Sequence, residues 1–144
     1  RPDWRKQAFE SYQSKFNKSI NIQWKGCKPV QRNKSYDVDK AIKKESELLL
    51  AKTKKEDLII CLDKAGKSFD TLKLKQNFDS WISSSKDISF LVGGPDGLSS
   101  ECIRRSHLVW SLSGLTFPHS LIPVLLIEQI YRVWSITQNH PYHR

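Results

Sequence analysis

Apolar residues along this chain follow two rhythms: a return every three or four positions, and short runs that are unbroken or alternate. Each rhythm predicts a different element. Behind Asp3, the residues Trp4, Phe9, Tyr12 and Phe16 recur at helical spacing. An aspartate there can accept from the free N–H groups of a first turn, so a capped helix is predicted. Residues 20–24 alternate apolar and polar as a short strand would. Residues 25–36 carry Gly26 and Pro29 and no apolar period, which reads as a basic, mobile loop. Asp37 then caps a helix with Val38, Ile42, Leu49 and Leu50 on its inner side.

Residues 58–62 are apolar throughout and predict a strand covered on both faces. A loop with Lys64, Gly66 and Lys67 leads to Asp70, the cap of a helix bearing Leu72, Leu74, Phe78, Trp81 and Ile82. Residues 88–92 form a second buried strand, stopped by Gly93, Gly94, Pro95, Asp96 and Gly97. A short helix opening at Ser99 or Ser100 ends by Ser106, and residues 108–112 read as a third strand. After a turn over residues 113–118, the longest helix runs from His119 to about Gln138. Pro123 is tolerated because it lies near the first turn. Helices alternate with apolar strands, which is the pattern of an α/β fold: a parallel sheet with helices on both faces.

Composition narrows this picture. With 144 residues the chain is one domain's worth, over residues 1–144. At 38% hydrophobic and 27% charged it is neither disordered nor fibrous. The longest apolar run, residues 121–127, is far short of the roughly 20 residues a membrane helix needs. From its opening residues Arg1, Pro2 and Asp3, no signal peptide is expected. Cys27, Cys61 and Cys102 form an odd, scattered set, so neither a disulfide framework nor a zinc site is expected, and a reducing cytoplasm is. The chain has no Met, so the native N-terminus is expected upstream.

The net charge of +9 is uneven. Residues 1–57 hold 15 basic and 8 acidic side chains, whereas residues 58–144 hold 9 and 7. Between Glu10 and Asp37 there is no acid, yet Lys15, Lys18, Lys25, Lys28, Arg32 and Lys34 lie there. Such a stripe attracts a polyanion by counterion release; a solvated lysine-rich surface is the plain alternative.

In parallel sheets, ligands bind beyond the carboxyl ends of the strands. Here those ends are Leu62, the turn at Gly93, and the run Leu112, Ser113, Gly114, Leu115, Thr116 and Phe117. Glycine lets backbone approach a ligand closely. Neither a dinucleotide fingerprint nor a P-loop is present, so the paired glycine turns stand either as simple turns or as a ligand cradle of another kind. The tail holds His140, Pro141, Tyr142, His143 and Arg144. With no carboxylate or cysteine close by in sequence, no metal site is expected. An arginine there is well suited to phosphate.

Residues 91–98, 110–119 and 131–143 together closely resemble the RlmH family of SPOUT-class methyltransferases. The glycine turn, the Leu112-to-His119 segment and Asn139-His140-Pro141-Tyr142-His143 carry the likeness, which is dense over residues 88–144 and looser before. The family begins with a further strand, and this chain starts where its first helix does. The resemblance implies a SPOUT-type knot (a C-terminal trefoil) and a homodimer. It implies S-adenosylmethionine as methyl donor and, as reaction, methylation of N3 of a pseudouridine in the intersubunit stem-loop of large-subunit ribosomal RNA. Carried across, the cofactor residues are Leu62, Gly93, Leu112, Ser113, Gly114, Leu115, Thr116 and Phe117. His143 is the candidate base or proton relay, Arg132 and Arg144 hold phosphate or a developing anion, and Tyr142 stacks on the base. Lys25, Lys28 and Arg32 would hold ribosomal RNA phosphates in the assembled ribosome. The rival readings are a non-catalytic RNA-binding or ribosome-assembly factor that keeps the knot, and a different small α/β enzyme using a nucleotide or flavin.

Overall fold

The computed structural model describes residues 3–28, 30–33 and 35–143. Along them follow α1 (Trp4–Gln13), α2 (Val38–Ala51), β1 (Leu58–Lys67), α3 (Thr71–Ser83), β2 (Ile88–Val92), α4 (Ser100–Arg105), β3 (Leu108–Trp110) and α5 (Ile122–Thr137), the last preceded by a 3₁₀ turn, His119–Leu121. The chain divides into two compact units. One combines Gly26–Ser68 with Ser85–His119; the other combines Arg1–Lys25, Phe69–Ser84 and Ser120–Arg144.

The first is a sheet unit. Its three strands lie in the order β2-β1-β3, all parallel. The all-apolar stretch of β1 takes the centre because both of its faces are buried: Ile59, Ile60, Cys61 and Leu62 are at most 8% exposed. Ile59, Cys61 and Leu91 pack with Leu50 of α2 and Cys102 of α4, fringed by Leu49, Leu98, Ile103 and Val109. Burying each large aliphatic there contributes about 1.5–3 kcal/mol. Ser99 caps α4 by accepting from the Cys102 N–H, and Asp37 caps α2 through the N–H groups of Asp39 and Lys40.

The second unit is helical and aromatic. α1 and α3 both pack on α5. Asp3 and Asp70 cap α1 and α3 as their positions in the sequence predict. Between α1 and α5, Phe16 meets Tyr131 edge-on at 5.4 Å and Trp134 at 5.2 Å, and Tyr142 meets Tyr131 at 4.8 Å. Lys15 lies over the rings of Tyr12, Tyr131 and Tyr142. α5 closes with Asn139 at φ 54 and a bond from the His140 N–H to the Ser135 carbonyl, a left-handed helix stop.

Four sequence expectations need correction. Residues 20–24 alternate in exposure but pair with no strand; Gln13 bonds the Ile22 carbonyl and Trp24 stacks on Phe9 instead. Alternation reports a half-buried extended chain, not a ladder partner. β1 continues to Lys67, where it meets Trp110 again after a register shift, because Gly66 lets the chain come against Val109. β3 stops at Trp110 rather than Leu112. Finally, the inner side of α2 is Ala41, Glu45, Ser46 and Leu50, while Val38 is 42% exposed. Both buried polar residues find partners outside the helix: Ser46 Oγ accepts from the Ser99 N–H at 2.9 Å, and Glu45 accepts from the Val30 N–H and from Arg32.

Candidate functional site

The parallel register decides where the first candidate site stands. Leu62 is the Cα partner of both Val92 and Trp110. The ends of β2 and β3 therefore flank the point where β1's continuous pairing stops. This brings Leu62, Gly93 and the segment that leads into Leu112 to the carboxyl end of the sheet, although 50 residues separate Leu62 from Leu112. Leu62 is buried, whereas Leu115 is 70% exposed. The loop is shaped by its own side chains: Ser111 Oγ donates to the Ser113 carbonyl, Ser113 Oγ accepts from the Leu115 N–H at 3.0 Å, and Lys64 Nζ donates to Thr116 Oγ1 at 2.6 Å. Apart from its chain neighbours, no described residue comes within 4 Å of where a Cβ on Gly114 would stand.

The neighbouring glycine turn is closed on itself. The Gly97 N–H bonds the Gly94 carbonyl at 3.0 Å, and Gly97 sits at φ 89. A Cβ on Gly93 would come within 2.6 Å of Gly97 backbone, so only glycine fits there. A separate depression of about 500 Å³, lined by Asp39, Ile42, Lys43, Leu98 and Arg104 among others, includes none of these strand-end residues.

A second cluster lies in the helical unit, where the tail folds back along α5. Arg132 donates to Glu128 Oε2 at 2.8 Å, and its Nη1 meets His143 Nδ1 at 3.0 Å. A guanidinium has only hydrogens to offer, so Nδ1 accepts. A neutral His143 in this arrangement carries its proton on Nε2. Tyr142 gives its single hydroxyl proton to Glu128 Oε2 at 2.8 Å and receives one from Tyr12 at 2.9 Å. Burial, reinforced by Tyr12 and Glu128, pushes the Tyr142 phenol well above its ordinary range, so it stays a neutral donor. The Arg132 guanidinium lies 5.1 Å over the Tyr142 ring. Arg144 lies outside the described residues.

The basic stripe is heterogeneous. Lys25 and Lys28 are exposed, but Arg32 is held by Glu45 and Asp96 and Lys15 by three rings; Lys34 lies outside the described residues. His107 accepts the Ile59 N–H on Nδ1, a structural role. Among the described residues no group of three or more His, Cys, Asp or Glu side chains comes together, and no helix is long and apolar enough to cross a membrane.

Glu128 and Glu45 escape a reading of sequence alone. Glu128 had a signal, a glutamate four residues ahead of an arginine on one helix. Glu45 had one too, for it interrupts the stripe Val38, Ile42, Leu49 at the position where an apolar residue would fall.

A parallel three-stranded sheet with glycines at the carboxyl ends of its strands, in a chain whose helical unit carries an arginine–histidine–tyrosine cluster, marks an α/β protein. The comparison with known families narrows that class. The family model described as "Predicted SPOUT methyltransferase" matches residues 1–143, and the chain belongs to that methyltransferase family. It is 41% identical over 143 residues to "Ribosomal RNA large subunit methyltransferase H" of Thioalkalivibrio sulfidiphilus. It is 43% identical over 143 residues to the protein of that name in Coxiella burnetii. Each match covers 99% of this chain and 92% of the relative.

Proposed function

We propose that this chain transfers a methyl group from S-adenosylmethionine to large-subunit ribosomal RNA, at N3 of a pseudouridine in the intersubunit stem-loop of assembled ribosomes. The name shared by the two relatives compared above supports large-subunit ribosomal RNA as the substrate class. The observation that carries the site is the parallel register that gathers Leu62, Gly93 and the segment leading into Leu112 at the carboxyl end of the sheet. We take residues 1–144 as one methyltransferase domain with the C-terminal trefoil knot of the SPOUT class, working as a cytoplasmic homodimer. Trp4, Leu72 and Ile82, each at least half exposed, are apolar surface that a second copy would cover.

The residues present fit the methyl donor. Leu115 offers an uncovered apolar wall, and the space beside Gly114 is open to its backbone. A flat adenine can be held there by main-chain groups, with Leu62 and Leu115 as walls and Ser113, Thr116, Leu112 and Phe117 shaping the loop. When bound, the donor supplies an electrophilic methyl group on a sulfonium, and displacement requires in-line approach above all.

The acceptor N3–H is a weak acid, and the tail cluster eases its loss. With Nδ1 occupied by Arg132, His143 presents an N–H at Nε2. That favours hydrogen bonding to the oxygen of the developing uracil anion over taking up the proton, which passes to water. Arg132 adds positive charge beside it, and Tyr142 offers its ring for stacking. Arg144 holds phosphate. Lys25 and Lys28 hold phosphates of the RNA backbone, positioning it without reading sequence; Arg32 is engaged by Glu45 and Asp96.

The test is mass mapping of ribosomal RNA from unmodified ribosomes before and after incubation with the protein and S-adenosylmethionine. A single added methyl on the stem-loop pseudouridine is the expected result. Tight ribosome binding without any added methyl would instead identify an assembly factor. Replacing Lys25 and Lys28 with alanine should lower the slope of log affinity against log salt by about 1 for each phosphate that is no longer held.

A further inference from the structure

Glu45 is a carboxylate only 5% exposed on the inner side of α2, yet it lies outside the reaction described above. Both of its oxygens are engaged. Oε2 accepts the Val30 N–H at 2.8 Å and an Arg32 Nη1 hydrogen, and Oε1 accepts from Arg32 Nη2 at 2.9 Å. The same guanidinium reaches the opposite way, with Nε at 3.2 Å and Nη2 at 3.1 Å from Asp96 Oδ2. Arg32 is itself held by the Val30 carbonyl at 2.6 Å and lies over the Tyr36 ring. One planar cation thus joins helix α2 to the tip of the glycine turn that follows β2.

The turn also rests on the carboxylate directly. A Cβ on Gly94 would stand 2.6 Å from Glu45 Oε1, so the backbone there is seated against the side chain. Two features that share Glu45, the bridging arginine and the close approach at Gly94, bear on the same five-residue turn.

We propose that Arg32, Glu45 and Asp96 are positioning residues for the methyl donor: a polar latch that holds the Gly93-to-Gly97 turn in the conformation that the donor's binding requires. This rests on the strand-end reading of the site. A site built from backbone has no side-chain rotamers with which to adjust, so the placement of the chain itself sets affinity, and a displacement of about 1 Å is costly. Buried, doubly bonded charge suits that task because removing one partner leaves the other uncompensated.

The test uses the full chain and four variants: Asp96→Ala, Arg32→Lys, Arg32→Ala and Glu45→Gln. Calorimetric titration with S-adenosylmethionine is paired with hydrogen exchange of the 93–97 amides in unliganded protein. Asp96→Ala cuts the latch at its exposed end, where unfolding is not expected. It should raise Kd roughly tenfold, which corresponds to about 1.4 kcal/mol. It should also speed exchange of the turn while α2 keeps its protection. Arg32→Lys keeps the charge but cannot bridge two carboxylates in a fork, so it should behave like Arg32→Ala rather than rescue it. KM for the donor should rise by more than kcat falls. A parent that binds the donor, with an Asp96→Ala variant binding equally well or showing unchanged turn exchange, overturns the latch alone. A parent that does not bind at all overturns the strand-end reading and the latch with it.

Discussion

The two candidate regions are built by opposite means. At the carboxyl end of the sheet the chain presents little side chain: glycines at positions 93, 94, 97 and 114, main-chain groups, and two leucines. Along α5 and the tail it presents little else, a chain of hydrogen bonds running Tyr12, Tyr142, Glu128, Arg132, His143. The first region is sensitive to atoms added, because its shape is set by where the backbone comes close. The second is sensitive to atoms removed, because each group sets the proton position or orientation of the next. A single substitution strategy would therefore misjudge one of them.

The largest effect should come from adding atoms where there is no room. Gly93→Val drives a side chain into Gly97 and should cost about 1–3 kcal/mol of stability as well as S-adenosylmethionine binding, read by thermal unfolding and calorimetry. Gly114→Val is its sharpening partner. With nothing near that Cβ it should leave stability within about 0.5 kcal/mol, yet weaken donor binding at least about tenfold. Unaltered binding by Gly114→Val would mean that the loop does not hold the donor.

Removal in the tail should spare the donor and slow the reaction. Arg132→Ala strips the cation from Glu128 and the hydrogen-bond donor from His143 Nδ1, and methylation should fall by roughly 10²–10³. The Kd for S-adenosylmethionine measured by calorimetry should not move. His143→Ala should lose about ten- to a hundredfold, the worth of one hydrogen bond to a charged group. His143→Gln, which can place an N–H near the old Nε2, should recover part of it. If the glutamine variant is as slow as the alanine one, proton uptake by His143 regains the advantage.

The smallest effect is on acid stability. The Arg32 hydrogen bonds hold the Glu45 carboxyl below its usual range against the opposing pull of burial. A pKa depressed in the fold gives stability that is complete above the unfolded value of about 4.3. It is lost as pH falls through the lower folded value. The melting-temperature gap between the parent and Glu45→Gln should therefore narrow on acidification below about pH 4; a gap that widens there contradicts the latch's ionised state.

Much of the architecture is legible because it is local. Asp3, Asp37, Asp70 and Ser99 each cap the helix that follows, and the apolar runs at residues 58–62 and 88–92 become strands of one parallel sheet. Residues 20–24 show the limit: alternation is a property of the segment, a ladder partner is not. Glu45 shows another. A glutamate in an apolar stripe looks like an interruption until Arg32 and the Val30 N–H, both distant in sequence, are seen to satisfy it.

From the order of residues alone come the helix starts, the apolar strands, the glycines that end one of them, and the family likeness carried most densely by residues 88–144. Tertiary structure alone decides that Leu62 pairs with Val92 and Trp110, that Arg32 meets two carboxylates, and that the His143 Nδ1 is taken. The division follows the range of the forces. Caps and periodicity act within a turn or two of chain. Strand register, buried ion pairs and histidine tautomers depend on groups brought together only once the core has closed.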